Sequence, residues 1–261
     1  MRVWILVLAL GVLSWFQFGQ VSSAAALAQR AVDVADSRPP RAILILGNSR
    51  TFYNDMPAML RKIADSAGSP TKFQIETSAE PGFTLEKHWS HGRSRALLDD
   101  TWDEIIFQGE SGAQSSVEQS ESFKAYGRKL ALLARVQSGQ ATLLINWPYD
   151  PSVFAGYEPY DRAEHLSFLK SVHADLAQEA QLDRINLASL WESVRLSHPE
   201  IGLTTDGNHP TVAGSYLYAL ALYRSLSGEP VSRVSYAPAG LKPSDALALR
   251  QAVDSFPLLT G

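Results

Sequence analysis

The sequence predicts a three-layer α/β/α sandwich built on a mainly parallel central sheet. Two observations carry this expectation. Short, wholly apolar runs of strand length recur along the chain, and longer stretches with helical spacing separate them. A strand followed by a helix and another strand closes through a right-handed crossover, which gives parallel strands with helices on both faces.

In chain order, AILIL (42–46) is the first buried strand, and PAMLRKIADSAG (57–68) an amphipathic helix ending on Gly68. KFQIETS (72–78) alternates apolar and polar residues, as a strand wetted on one face does. TLEKHWSHGRSRALL (84–98) has helical spacing, weakened by Gly92, and EIIFQ (104–108) is a second buried strand. A helix over 120–136 leads to a third buried strand, ATLLIN (141–146), which Trp147-Pro148 ends. PYDPSVFAGYEPY (148–160) is a loop rich in Pro, Gly and Tyr, long enough to cover a site. Helix 161–180, a short strand 182–187 and helix 188–197 follow. TVAGSYLYALALYRSL (211–226) is the last strong helix, and the tail carries a loop and a closing helix near 244–255.

Ahead of this pattern, Arg2 and the apolar run Val3 to Phe18 precede the small-x-small triplet Ala26-Leu27-Ala28. That order is expected of a signal peptide over 1–28, cleaved after Ala28, rather than of a membrane anchor. Residues 29–40, ending in two prolines, read as a linker, which leaves 41–261 as a single domain. The expected setting is the periplasm or the extracellular medium, with no stable membrane insertion after cleavage. The chain has no cysteine, so it carries neither a disulfide nor a lipidated cysteine, and a domain of this size can bury enough core without them. The signal segment's one charged residue is Arg2, so its loss takes the net charge from −4 one unit further negative. That mild acidity argues against nucleic acid as a partner.

Functional groups in parallel sheets gather beyond the carboxyl ends of the strands. This rule points to Gly47-Asn48-Ser49, to Ala79–Gly82 and to Gln108–Ser111. Nucleophilic acyl transfer needs a hydroxyl, a base, a group that orients the base, and donors for the oxyanion. Ser49 offers the hydroxyl. Asp206 and His209 lie three residues apart in LTTDGNHPTV, directly before a helix, where the carboxylate can fold back onto one imidazole nitrogen and leave the other free. Taken alone, that pair is a weak signal and reads first as a helix cap with a surface histidine.

The ordered set resembles the SGNH/GDSL hydrolases, a family named for Ser, Gly, Asn and His in four blocks. GNS ends the first strand, Gly82 follows the second, Gln108 ends the third, and DGNHP precedes the last strong helix. The resemblance spans about Ile43 to Leu226 and implies a flavodoxin-like fold, a Ser49 nucleophile, a His209 base and an orienting Asp206. It further implies an oxyanion hole of the Ser49 and Gly82 backbone N–H groups and a third-block amide, here Gln108. Two departures stand out: Asn48-Ser49-Arg50 replaces the usual Asp-Ser-Leu, with Asn48 bracing the turn, and Gln108 in FQGES stands where the family has Asn. Both are similar to a branch with a GNS first block and a Gln-Glu third block.

A rival serine, Ser111 in GESGA, nearly matches the G-x-S-x-G elbow but lacks its last glycine, so Glu110 and Ser111 are expected as rim groups. His88 and His91 lack the further ligands of a metal site and are expected at the surface or against substrate; His165, His173 and His198 read as structural or surface histidines. Trp89, Trp147, Tyr149, Tyr157 and Tyr160 divide evenly between an aromatic rim for a sugar or acyl group and plain loop packing. No nucleotide motif is present, and no cofactor or metal is expected. The function expected is an exported esterase acting on a carbohydrate O-acyl ester or small acyl ester. The alternative is an SGNH-like acyltransferase or non-catalytic domain that binds acylated carbohydrate.

Overall fold

The structure, a computed structural model, describes residues 36–109, 116–137, 140–154 and 160–260. Residues 40–261 form one compact unit. Its sheet contains β1 (Pro40–Gly47), β2 (Lys72–Ala79), β3 (Glu104–Gln108), β4 (Ala141–Leu144), β5 (Asp183–Ile185) and β6 (Leu259–Thr260), in spatial order β2-β1-β3-β4-β5-β6. The first five strands are all parallel, and β6 pairs antiparallel with β5 at the edge. The α/β architecture expected from the alternating runs is therefore present.

Strand pleating sends successive side chains to opposite faces, and the two cores follow this alternation. Ile43, Ile45, Ile106, Leu144 and Ile185 face one layer, made by α2 (Met56–Ser66), α7 (Leu187–Ser197), α8 (Val212–Ser227) and α9 (Pro243–Ser255). Leu44, Leu46, Ile105, Phe107 and Leu143 face the other, made by α3 (Leu85–Ser90), α4 (Gly92–Leu98), α5 (Val117–Gln137) and α6 (Arg162–Ala180). All four apolar side chains of Ile43–Leu46 are fully buried, at roughly 1.5–3 kcal/mol each relative to exposure. That burial makes β1 a rigid support for whatever its last residue carries.

The order of strands also places the site. From β1 the chain crosses to β2 on one side and then back over β1 to β3 on the other. The two crossovers diverge at the carboxyl end of β1 and leave a crevice there. Short helix α1 (Ser49–Phe52) leaves β1 at this point, followed by a 3-10 turn over Tyr53–Asp55.

Two local expectations change. The helix expected over 84–98 is two helices, broken where His91 takes an extended conformation (φ −87°, ψ 123°) just before Gly92, a poor helix former. The tail adds β6, whose two residues are too few to leave a periodic signal. Asp55 stands at the N-cap of α2 without a capping hydrogen bond from its side chain, and both Asn54 (φ 54°) and Asp55 (φ 52°) are left-handed. Non-glycine residues pay strain in that region, and such strain concentrates near functional sites.

Candidate active site

The turn after β1 is held from below. A Cβ on Gly47 would overlap the Thr51 hydroxyl and lie 2.8 Å from Gln108 Oε1, so only glycine lets the chain exit this close to both. Gln108 is fully buried. Its Oε1 accepts from the Asn48 N–H (3.3 Å) and the Thr51 hydroxyl, and its Nε2 donates to the Gly109 carbonyl (3.1 Å). Asn48 caps α1 by accepting from the Arg50 N–H (3.1 Å) and reaches the Phe83 carbonyl through Nδ2 (3.3 Å). Ser49 is thus presented at the first position of a helix braced by Asn48 and Gln108.

The second component is the loop before α8. Asp206 Oδ1 accepts from the N–H groups of Asn208 (3.0 Å) and His209 (2.7 Å), and the Thr205 N–H donates to the His209 carbonyl (2.9 Å). These bonds fold the loop tightly enough to bring Asp206 Oδ2 within 2.7 Å of His209 Nδ1. Across the crevice, His209 Nε2 lies 3.1 Å from Ser49 Oγ. Desolvation pushes the Asp206 carboxyl up, but the hydrogen bonds from the His209 ring and from the His209 and Asn208 N–H groups outweigh it and hold it at about 2. An ionised carboxylate only accepts, so Nδ1 carries the imidazole proton, Nε2 presents its lone pair, and the Ser49 hydroxyl donates to it.

Several residues without a signal of their own in the sequence complete the arrangement. Tyr53 stacks on the His209 ring with centroids 4.3 Å apart and 11° between planes. Asn54 Nδ2 donates to the Pro210 carbonyl and to Ser215 Oγ, both at 2.9 Å, which links the serine turn to the histidine loop. The Arg50 guanidinium donates to Asn208 Oδ1 (3.0 Å) and to the Trp147 carbonyl (2.5 Å). It also lies over the Trp147 and Tyr149 rings. Asn54 holds a left-handed conformation, which asparagine tolerates better than most residues.

Asn48, Ser49, Arg50, Phe52, Tyr53, Pro81, Gly82, Tyr149, Asn208 and His209 line a cleft of about 390 Å³. Gly82 (φ 63°) adopts a conformation suited to glycine, and a Cβ there would meet open space. The Ser49 and Gly82 N–H groups make no hydrogen bond among the described residues, which leaves two donors at one cleft. Tyr149 reaches the cleft, as the aromatic-rim reading expected. Trp147 does not: it is fully buried, stacked on Trp191 at 3.8 Å with its Nε1 on the Asn208 carbonyl (3.0 Å). Its role is to anchor the histidine loop from inside.

Gln108 likewise sits beneath the cleft rather than in its wall. His88 is fully buried and is not among the residues that line the cleft, against the expectation of a surface or substrate-facing group. Its ring finds a backbone carbonyl and a serine hydroxyl inside the fold. His165 and His173 are buried as well, while His198 is part-exposed and near Glu200. Trp89 packs against Arg95 and Lys129 rather than lining the cleft. Glu110, Ser111 and Tyr157 lie outside the described residues. Among the described residues no group of three His, Asp or Glu side chains is placed to hold a metal ion, and no helix is long and apolar enough to cross a membrane.

Neither a protein-family profile nor a curated protein matches the sequence. Solved structures do. A candidate SGNH hydrolase from Slackia heliotrinireducens superposes with a TM-score of 0.60 at 23% identity, over 72% of this chain and 99% of that one. A DUF4886 family protein from Bacteroides uniformis gives 0.69 at 18% identity, over 83% and 94%. A catalytic variant of an acetylxylan esterase from Geobacillus stearothermophilus gives 0.60 at 15% identity, over 76% and 98%. The fold is that of the SGNH hydrolases. At these identities the likeness extends to the fold alone, and the chemistry rests on the side chains.

Proposed function

We propose that this chain is an exported serine hydrolase that cleaves a carboxylic ester, either a carbohydrate O-acyl ester or another small acyl ester. The observation that carries the reading is the continuous hydrogen-bond path from Asp206 Oδ2 through the His209 ring to Ser49 Oγ, opening on a cleft. The chain's fold likeness to an acetylxylan esterase supports the carbohydrate ester. The Gly47-Asn48-Ser49 and Gln108 blocks support placement in the branch of SGNH proteins that has Gln in its third block.

In this mechanism His209 Nε2 takes the proton of Ser49 as Oγ attacks the ester carbonyl carbon. Asp206 holds the ring in the required tautomer and stabilises the imidazolium that forms. The tetrahedral oxyanion faces the backbone N–H groups of Ser49 and Gly82, and one such donor is typically worth roughly 3–4 kcal/mol of barrier. Collapse breaks the C–O bond to the alcohol, which leaves with the proton from His209. Water, deprotonated by the same nitrogen, then releases the acid and restores Ser49. Gln108 supports this path from beneath by fixing the turn that carries Ser49.

The test is hydrolysis of p-nitrophenyl acetate by the purified protein, with a fluorophosphonate adduct mapped by mass spectrometry. Turnover, with the adduct on Ser49 and both lost in Ser49→Ala, is expected. An adduct on Ser111, or a wild type with neither turnover nor adduct, sinks the proposal. His209→Ala should lower kcat/KM by several orders of magnitude and Asp206→Ala by less, because the base takes the proton itself while the carboxylate acts through the base. Equal activity in both variants and the wild type would rule out this path.

A further inference from the structure

One of the buried titratable groups that the reaction described does not use borders the serine turn. His88 lies on α3, just after the loop that carries Gly82, and is fully buried. Its Nε2 is 2.9 Å from the carbonyl of Gly47, the last residue of β1 and two before Ser49. Its Nδ1 is 2.8 Å from Ser94 Oγ on α4. Ser94 Oγ in turn lies 2.9 Å from Ser78 Oγ near the end of β2 and 3.2 Å from His91 Nδ1.

The proton order follows from what each atom can do. A carbonyl oxygen only accepts, so His88 Nε2 is the donor to Gly47. Burial, opposed by the Gly47 hydrogen bond and assisted by the neighbouring His91, holds the ring down at about 4, so it is neutral near pH 7. Nδ1 is then an acceptor, and the Ser94 hydroxyl donates to it. That leaves Ser94 Oγ free to accept from Ser78 or His91. Protonating the ring would keep the Nε2–H bond to Gly47 but reverse the bond to Ser94, whereas removing the ring breaks both.

The relay joins the two pieces that would flank an oxyanion. On the serine side it grips the Gly47 carbonyl, whose peptide plane sets the direction of Asn48 and Ser49. On the glycine side, Lys87 next to His88 donates to the Gly82 carbonyl (2.8 Å), and Asn48 Nδ2 bonds the Phe83 carbonyl (3.3 Å). The Phe83 ring meets both His88 and His91 edge-on at 5.1 Å. We infer that His88 is a positioning residue: as the Nε2–H tautomer it caps the end of β1 and keeps the Ser49 N–H and Gly82 N–H at the spacing an oxyanion needs. The inference rests on the esterase reading and adds to it a residue that touches neither substrate nor nucleophile.

The experiment compares His88→Leu, which removes both polar atoms, with His88→Gln, which retains a donor and an acceptor. Both are assayed at a temperature where circular dichroism shows them folded. The expected result for His88→Leu is a kcat about 10- to 100-fold lower with KM within about threefold, since small displacements of catalytic groups have effects of that size. His88→Gln should recover much of the loss. A His88→Leu protein with a lower melting temperature but wild-type kcat overturns the inference. Should that variant not fold, ¹⁵N NMR of histidine-labelled wild type reads the relay directly. The Nε2-protonated tautomer is expected for His88 at pH 7, and an Nδ1-protonated or doubly protonated ring overturns it. A wild type lacking Ser49-dependent turnover removes the esterase reading instead, a result separable from either His88 outcome.

Discussion

Acidification from pH 8 to pH 5 should destabilise this fold through two buried histidines. His88 and His173 are both almost wholly inaccessible, and burial, the dominant influence on each, holds both at about 4. For His173 burial is assisted by Arg184 and opposed by the Leu169 carbonyl, which accepts from Nδ1 at 2.7 Å, and by the Leu144 carbonyl. In the unfolded chain each returns to the ordinary value of 6.5. Between these values the unfolded state binds more protons than the native one, so stability rises with pH across the window. The contribution is complete above pH 6.5 and is lost as pH falls toward 4. At pH 5 the linkage relation gives a loss of about 2 kcal/mol per histidine, or about 4 kcal/mol together. That is a large share of the roughly 5–15 kcal/mol that holds a typical domain together. Glu104 works in the opposite direction, because burial raises its carboxyl despite the Thr142 and Arg41 contacts, and so offsets part of the loss. Urea titrations at pH 8 and pH 5, repeated on a His88→Gln/His173→Gln double variant, measure the effect. A wild-type unfolding free energy unchanged between the two pH values refutes the reasoning. So does an equal fall in the double variant.

Two further substitutions probe the serine turn. Tyr53→Leu removes the ring stacked on His209. A cation over an aromatic face is worth about 1 kcal/mol, so kcat for p-nitrophenyl acetate should fall about fivefold. Tyr53→Phe keeps the ring and should stay within about twofold; equal rates in the Leu and Phe variants contradict a role for the aromatic face. Gly47→Ala drives a methyl group into Thr51 and Gln108 and should cost about 1–3 kcal/mol of stability by overpacking, read from the urea midpoint. An unchanged midpoint means that the turn has room the packing does not reveal.

Much of this molecule was legible residue by residue. Apolar runs such as Ile43–Leu46 announce parallel strands because buried strands need no polar face. Their alternation with helical segments leaves few topologies for the sheet. The serine at the end of β1 and the Asp206–His209 pair were visible because strand ends and short turns constrain local chemistry, and local chemistry is written locally.

The rest depends on partners far along the chain. Ser49 and His209 are 160 residues apart and meet only because the strand order opens a crevice beside β1. Trp147 fits a rim aromatic and loop packing equally well in sequence, and only the packing of Trp191 and the Asn208 carbonyl turns it inward. Gln108 could have reached the cleft or the turn beneath it; the bonds to Asn48, Thr51 and Gly109 decided for the turn. His88, in a segment expected to be one helix over 84–98, read as a surface or substrate-facing group until the carbonyl of Gly47 supplied a buried partner. By itself, then, the sequence determined the layers and the candidate reacting groups, because periodicity and turn chemistry act over a few residues. Which polar groups face substrate and which brace the site from within was decided only by tertiary structure, because a side chain's hydrogen-bond partner is set by the fold and not by its neighbours in sequence.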